Sequence, residues 1–198
     1  IGEEDVHFDA LVVAVGARPA PRPAGAGFYG IGDLRRIEGV GLVDRICQLN
    51  SRSWVTVVGG GATGLQYLFQ LRDAMRRAGA RCGLRLVDAG DRLRPEQPAA
   101  FHRYILKRIE QSGVRYMPGR RLDEAAEGHI TLRGPRGGGQ QLSSAISLVF
   151  KGLVGNPVYL DADETGRLRY RDQVTPNVFV AGDCSDYDGS GLNDKSAQ

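Results

Sequence analysis

VTVVGGGATGLQ, residues 55–66, is the stretch on which the fold turns. A strand-like run, Trp54–Val58, is followed at once by glycines spaced as GxGxxG at Gly59, Gly61 and Gly64. The residues that follow, Leu65, Leu68, Leu71, Met75 and Ala78, recur at intervals of three and four, the stripe of a helix with one buried face. A lone GxGxxG is weak evidence. Here a buried strand precedes it, a periodic helix follows, and an acid, Asp88, ends the next strand. In that context Gly59 permits a tight turn, Gly61 lets backbone approach a pyrophosphate, and Gly64 lets helix and strand pack closely. The N–H groups of Ala62, Thr63 and Gly64, at the positive end of the helix dipole, are expected to face the phosphates, with the Thr63 hydroxyl as a further donor. Asp88 is placed to accept from both hydroxyls of an adenosine ribose. Its charge would repel a 2′-phosphate, so NADH is expected to bind better than NADPH, with Arg92 tempering the preference. The competing reading has Asp88 only capping its own AGD turn.

Downstream, the strand Leu84–Val87 is followed by a helix over Ala99–Gln111, with Phe101, Ile105 and Ile109 expected inward and Gly113 as its stop. VRYM, 114–117, makes a third strand. Helices between successive strands impose parallel pairing through right-handed crossovers, so the fold class is α/β, a Rossmann-like doubly wound parallel sheet. Residues 120–144 then read as an antiparallel β meander, with Gly128 and the run Gly137, Gly138 and Gly139 at its tips. That glycine run lacks a strand before it and a helix after it, which argues against a second phosphate loop. Ile146–Phe150 and Val178–Ala181 read as further strands. Upstream, Phe8–Val15 has the profile of a strand buried on both faces and ends at Gly16. The proline-rich stretch 17–27 reads as a linker, and a helix is expected around 38–49.

With 198 residues, 41% hydrophobic and 25% charged, the chain can bury a substantial core in one ordinary domain or two small ones. No window approaches the roughly 18 apolar residues of a transmembrane segment, and the acidic, polar beginning does not resemble a signal peptide. The ending at Lys195–Gln198 reads like the first turn of an interrupted helix, so a fragment of a longer protein is expected. Arginines among glutamates and glutamines on the predicted helices form a solvated face and argue against nucleic acid, since no aromatic or RNA-binding motif accompanies them. Cys47, Cys82 and Cys184 stand far apart, and so do His7, His102 and His129, so neither a dithiol centre nor a metal site is expected. A reducing, cytoplasmic setting fits this cysteine usage.

FDALVVAVGARP (8–19), VTVVGGGATGLQ (55–66), LRLVDAGDRLRP (84–95), GVRYMPGRRLDEAAEGHITL (113–132) and TPNVFVAGDC (175–184) occur in the order seen in the FAD-dependent pyridine nucleotide-disulfide oxidoreductase superfamily. The chain resembles that superfamily over nearly its whole length, and within it type II NADH dehydrogenases and related NADH-dependent flavoprotein reductases. The resemblance implies a split architecture. Residues 1–30 would be an FAD-domain segment and hinge, 50–152 the NAD(H)-binding domain, and 153–198 a second, incomplete FAD-domain segment. It further implies that Gly16 belongs to the hinge motif, that Gly182 and Asp183 hold FAD, with Asp183 accepting from a ribityl hydroxyl, and that Gly152 lies on the NAD side. Departures from the family pattern are Val15 in place of threonine, Gln66 in place of the glutamate near the nicotinamide and flavin, and Gly155 in place of arginine in the GLVGNP turn (152–157). Gln66 can hydrogen-bond there, but it cannot form an ion pair or act as a base.

The activity implied for the full-length protein is hydride transfer from NADH to FAD and onward to a quinone or other acceptor, small molecule or protein, with peripheral membrane association left open. The residues leave two alternatives. One is a ferredoxin- or disulfide-reductase branch of the same superfamily. The other is a non-catalytic domain that senses NADH or builds an interface.

Overall fold

The computed structural model describes residues 5–36, 38–155 and 160–185. Asn156 and Pro157 of the GLVGNP turn, the chain ends, and the side chain of Val40 lie outside the described residues. The strands are β1 (Leu11–Val13), β2 (Ala17–Pro19), β3 (Phe28–Tyr29), β4 (Trp54–Val58), β5 (Gly83–Val87), β6 (Arg115–Met117), β7 (Arg121–Ala126), β8 (His129–Gly134), β9 (Gly137–Ser143), β10 (Ile146–Val149), β11 (Leu153–Gly155), β12 (Arg167–Tyr170) and β13 (Gln173–Val180). The helices are α1 (Ile31–Arg36), α2 (Glu38–Cys47), α3 (Ala62–Arg77) and α4 (Ala99–Gln111), with a 3-10 turn at Gly182–Cys184. The chain forms two compact units, one of residues 19–152 and one of residues 1–18 with 153–198.

The larger unit is built on an all-parallel sheet in the order β3-β10-β4-β5-β6. Its register sorts side chains by face, because successive residues of a strand point to opposite sides. The aligned rows Ile146, Val55, Leu84 and Leu148, Val57, Leu86 join one apolar core with Leu65, Leu68, Leu71 and Met75 of α3, Ile105 and Ile109 of α4, and Leu42 and Ile46 of α2. The row Val149, Val58, Val87 belongs to a second core with Leu122, Ile130 and Leu132 of the meander β7-β8-β9. Helices thus cover one face and the meander the other. Burying each wholly enclosed side chain, such as Leu68, Leu86 and Leu148, contributes about 1.5–3 kcal/mol.

Beside that apolar row on the meander face runs a polar one, Ser147, Thr56 and Arg85. The Ser144 hydroxyl donates to Thr56 Oγ1 at 2.8 Å and lies 2.8 Å from Ser147 Oγ. Arg85, only 4% exposed, donates to the Ser143 carbonyl at 2.8 Å and stacks 4.4 Å over the Trp54 ring. Burial, with repulsion from Arg115 added, pushes the Arg85 guanidinium down to about 10.

In the smaller unit β1 runs parallel to β13, with Val12 opposite Phe179, and β12 pairs antiparallel to β13. β2 and β11 form a separate two-stranded pair.

Several expectations change. Ala78, counted on the buried stripe of α3, is exposed and caps the helix from just past its end. The strand expected at 8–15 is ordered as strand only over 11–13, and it is exposed: Val12 is 61% and Val15 52% accessible. β1 is an edge strand with β13 as its paired neighbour, and among the described residues no long helix of its own unit covers it. Residues 17–19, read as linker, form β2, where a terminal proline on a short strand removes no interior ladder bond. Phe101 is 38% exposed, because the buried stripe of α4 begins one turn later at Ile105. The glycine run 137–139 is not a hairpin tip. It opens β9 after a turn at 135–136, with Gly137 and Gly138 at φ +81 and +70, and Gly137 pairs with Gly134 at a register shift.

Candidate dinucleotide site

β4 delivers the chain to Gly59, whose φ of +105 favours glycine and whose missing side chain clears the Phe150 carbonyl oxygen. A side chain at Gly64 would run into the Gly59 carbonyl oxygen, so the strand-to-helix approach depends on both residues. Gly61 differs. It has the ordinary extended conformation φ −67, ψ 179, and a Cβ there would meet nothing within 4 Å. Neither the backbone nor the packing asks for glycine at 61, and the vacant volume lies beside the first turn of α3. That turn has no side-chain cap and no acidic residue, and Ala62 and Thr63 are exposed. The first N–H groups of a helix lack intrahelical partners, and with the dipole they favour an anion, so a pyrophosphate fits this end. Gln66 is also exposed, one turn further along.

Asp88, at the end of β5, is fixed through its backbone: its N–H donates to the Met117 carbonyl at 3.1 Å, and its carbonyl accepts from Arg120 N–H at 2.8 Å. Its carboxylate accepts from Gly90 N–H at 2.9 Å and from Gly60 N–H at 2.5 Å. The turn cap considered from sequence is therefore present, and a bond to the glycine loop comes with it. Gly60, the unassigned position inside GxGxxG, must be small because Asp88 and Leu93 occupy the space where its side chain would stand. Leu93 and Phe150, the latter stacked on Tyr67 at 5.1 Å, complete this packing. Sequence reasoning missed these three; the extra glycine in the middle of the run 59–61 was the signal for the first. Beside the acid, Tyr116 has its hydroxyl buried with no partner among the described residues. Burial, reinforced by the charges of Asp88 and Asp91, pushes its phenol up to about 12.

Gly152, at φ +88, ends the larger unit, and its carbonyl accepts from Ala20 N–H at 3.0 Å. The remaining sequence-derived positions lie in the smaller unit. Gly16 and Gly182 have φ of +69 and +71, with open space where a Cβ would stand, and Gly155 is buried in β11. Asp183 sits in the 3-10 turn, half-buried, and among the described residues its carboxylate accepts no hydrogen bond. Its neighbour Cys184, wholly buried, fixes the turn, because its thiol reaches the carbonyls of Val13 at 3.4 Å and Ala181 at 3.3 Å. Among the described residues no group of three or more His, Cys, Asp or Glu side chains is placed to hold a metal ion, and no helix is long and apolar enough to cross a membrane.

Comparison with solved structures finds the same fold at low identity. NDH2 of Plasmodium falciparum, solved in complex with NADH, superposes with a TM-score of 0.71 at 15% identity, over 91% of this chain and 44% of that one. Putidaredoxin reductase, solved in its covalent complex with putidaredoxin, gives 0.61 at 19%, over 90% and 44%. The water-forming NADH oxidase of Lactobacillus brevis, bound to NADH, gives 0.59 at 16%, over 90% and 40%. The chain thus spans less than half the length of these proteins. No curated protein matches the sequence. The model of the pyridine nucleotide-disulphide oxidoreductase family matches residues 2–196, essentially end to end, and the chain belongs to that family.

Proposed function

We propose that this chain provides the NAD(H)-binding domain, residues 50–152, of an NADH-dependent flavoprotein oxidoreductase, with residues 1–30 and 153–198 contributing segments of its FAD domain. The observation that carries the reading is the vacant position at Gly61, above an uncapped helix N-terminus and one residue from the Gly60–Asp88 hydrogen bond. Neither backbone nor packing explains that glycine; a pyrophosphate would.

On this reading the N–H groups of Ala62, Thr63 and Gly64 hold the phosphates, and Asp88 turns its remaining acceptor sites to the adenosine ribose. Gly152 lies on the nicotinamide side with Gln66, which orients by hydrogen bonding only. Gly16, Gly182 and Asp183 belong to the flavin side, where the carboxylate accepts from a ribityl hydroxyl. The bound cofactors supply hydride transfer from NADH to FAD and on to an acceptor, while the protein supplies alignment and electrostatics. Turnover is assigned to the longer protein such a domain serves. A quinone is the acceptor that the resemblance to type II NADH dehydrogenases implies, and a protein acceptor is the second reading, putidaredoxin reductase having been solved in covalent complex with putidaredoxin.

NADH is preferred over NADPH because Asp88 meets a 2′-phosphate with like charge. Titrating the purified chain with NADH while following nicotinamide fluorescence tests the binding. Saturation below about 1 mM supports the reading, and a flat response through that range sinks it.

A further inference from the structure

The segment after Asp88 folds back on the glycine loop. Leu93, 1% exposed, occupies the space in front of Gly60, so Arg92 and Arg94 flank a residue anchored beside Asp88. Gln97 N–H donates to the Arg94 carbonyl at 3.0 Å and closes a four-residue turn with Pro95 in its second position, a placement that suits proline. Both arginines are engaged by this one turn. Arg92 Nη2 donates to the Gln97 carbonyl at 2.9 Å, and Arg94 Nε is paired with the Glu96 carboxylate, the two side chains 25% and 27% exposed.

An acid at the end of the strand that follows the glycine-loop helix suits a free 2′-hydroxyl, whereas a 2′-phosphate needs a nearby arginine. This chain carries both residue types, but its arginines are drawn into their own turn. We propose that Glu96 is a specificity-determining residue, which by holding Arg94 withholds the cation that would offset Asp88 and so excludes 2′-phosphorylated dinucleotides. The inference rests on the dinucleotide reading above and adds the residue that enforces its selectivity. Arg92 is held by a backbone carbonyl that no substitution removes, which leaves Glu96 as the side chain that controls a cation here.

The test compares ADP-ribose with 2′-phospho-ADP-ribose by calorimetry on the whole chain, unmodified and as Glu96→Gln. The substitution is expected to tighten 2′-phospho-ADP-ribose about tenfold, the scale of one charge-assisted contact, and to leave ADP-ribose within about twofold. The gain should shrink with added salt, and the double variant Arg94→Gln/Glu96→Gln should abolish it. An unchanged affinity ratio in Glu96→Gln, with ADP-ribose binding intact, overturns the proposal. A gain that survives loss of Arg94 overturns it equally. If the unmodified chain fails to bind ADP-ribose, the dinucleotide reading itself falls and takes the proposal with it.

Discussion

The Asp88 carboxylate accepts a hydrogen bond from Gly60 N–H at 2.5 Å, which ties the acid ending β5 to the middle of the glycine loop. With the bond from Gly90 at 2.9 Å, two of about four acceptor sites on the carboxylate are used, and two remain for the ribose proposed above. Asp88→Ala strips both backbone donors of their partner and is expected to cost about 1–3 kcal/mol of stability and at least about tenfold in NADH affinity. Asp88→Asn can offer its oxygen to only one of the two N–H groups and should fall between. Urea unfolding beside NADH titration measures both effects. An alanine variant that keeps wild-type stability would dismiss the tie.

The glycines of the loop should separate folding from binding. Gly64→Ala drives a methyl group into the Gly59 carbonyl, which only a backbone shift can relieve, so a loss of about 3 kcal/mol or more is expected. Gly61→Ala meets nothing within 4 Å and keeps an allowed φ of −67, so stability should stay within about 1 kcal/mol. Its methyl group nevertheless stands where the pyrophosphate would approach, and NADH affinity should fall at least about tenfold. Thermal unfolding and fluorescence titration on the pair check this, and undiminished NADH affinity in Gly61→Ala would move the phosphates elsewhere.

The larger unit was legible in sequence because its signals are local. β4 and β5 are short, largely apolar runs, α3 keeps its stripe from Leu65 to Met75, and α4 spans the expected residues 99–111. What stayed hidden depends on partners distant in the chain. The apolar run at 8–15 looks enclosed, yet β1 is exposed because burial depends on what covers a strand, which no local pattern records. Gly60 reads as a filler position until Asp88 and Leu93, folded against it, give it a reason. Glu96 and Arg94, two residues apart, look like ordinary surface charges until the Pro95 turn sets one against the other.

The three thiols should differ sharply in reactivity. Cys47 is exposed, Cys82 is 8% exposed with its thiol pushed up mainly by burial, and Cys184 is wholly enclosed in the contacts that fix the Asp183 turn. Because the thiolate is the reactive form, a thiol-specific disulfide reagent at pH 8 should titrate one cysteine quickly in the native protein and all three in denaturant. Mass spectrometry should locate the fast site at Cys47. Rapid labelling of Cys184 would mean that its turn opens readily and does not hold Asp183 in place.

Tyr116 gives the site an alkaline signature. Its phenol ionises near 10 in the unfolded chain and near 12 in the fold, where burial and the charges of Asp88 and Asp91 oppose the phenolate. Between those values the folded state binds more protons, so stability falls as pH rises through the window. Arg85 acts in the opposite sense. Burial holds its folded value near 10, below its unfolded one, so from about pH 10 upward the unfolded state binds more protons and stability gains. Both terms are present in the wild type, but Tyr116→Phe removes only the first. The variant should match or exceed wild-type stability at pH 7, since it loses a buried hydroxyl with no partner among the described residues, and it should lose less stability between pH 9 and 11. Urea midpoints at the three pH values measure the difference. Parallel curves for the two proteins would mean that the Tyr116 hydroxyl reaches solvent.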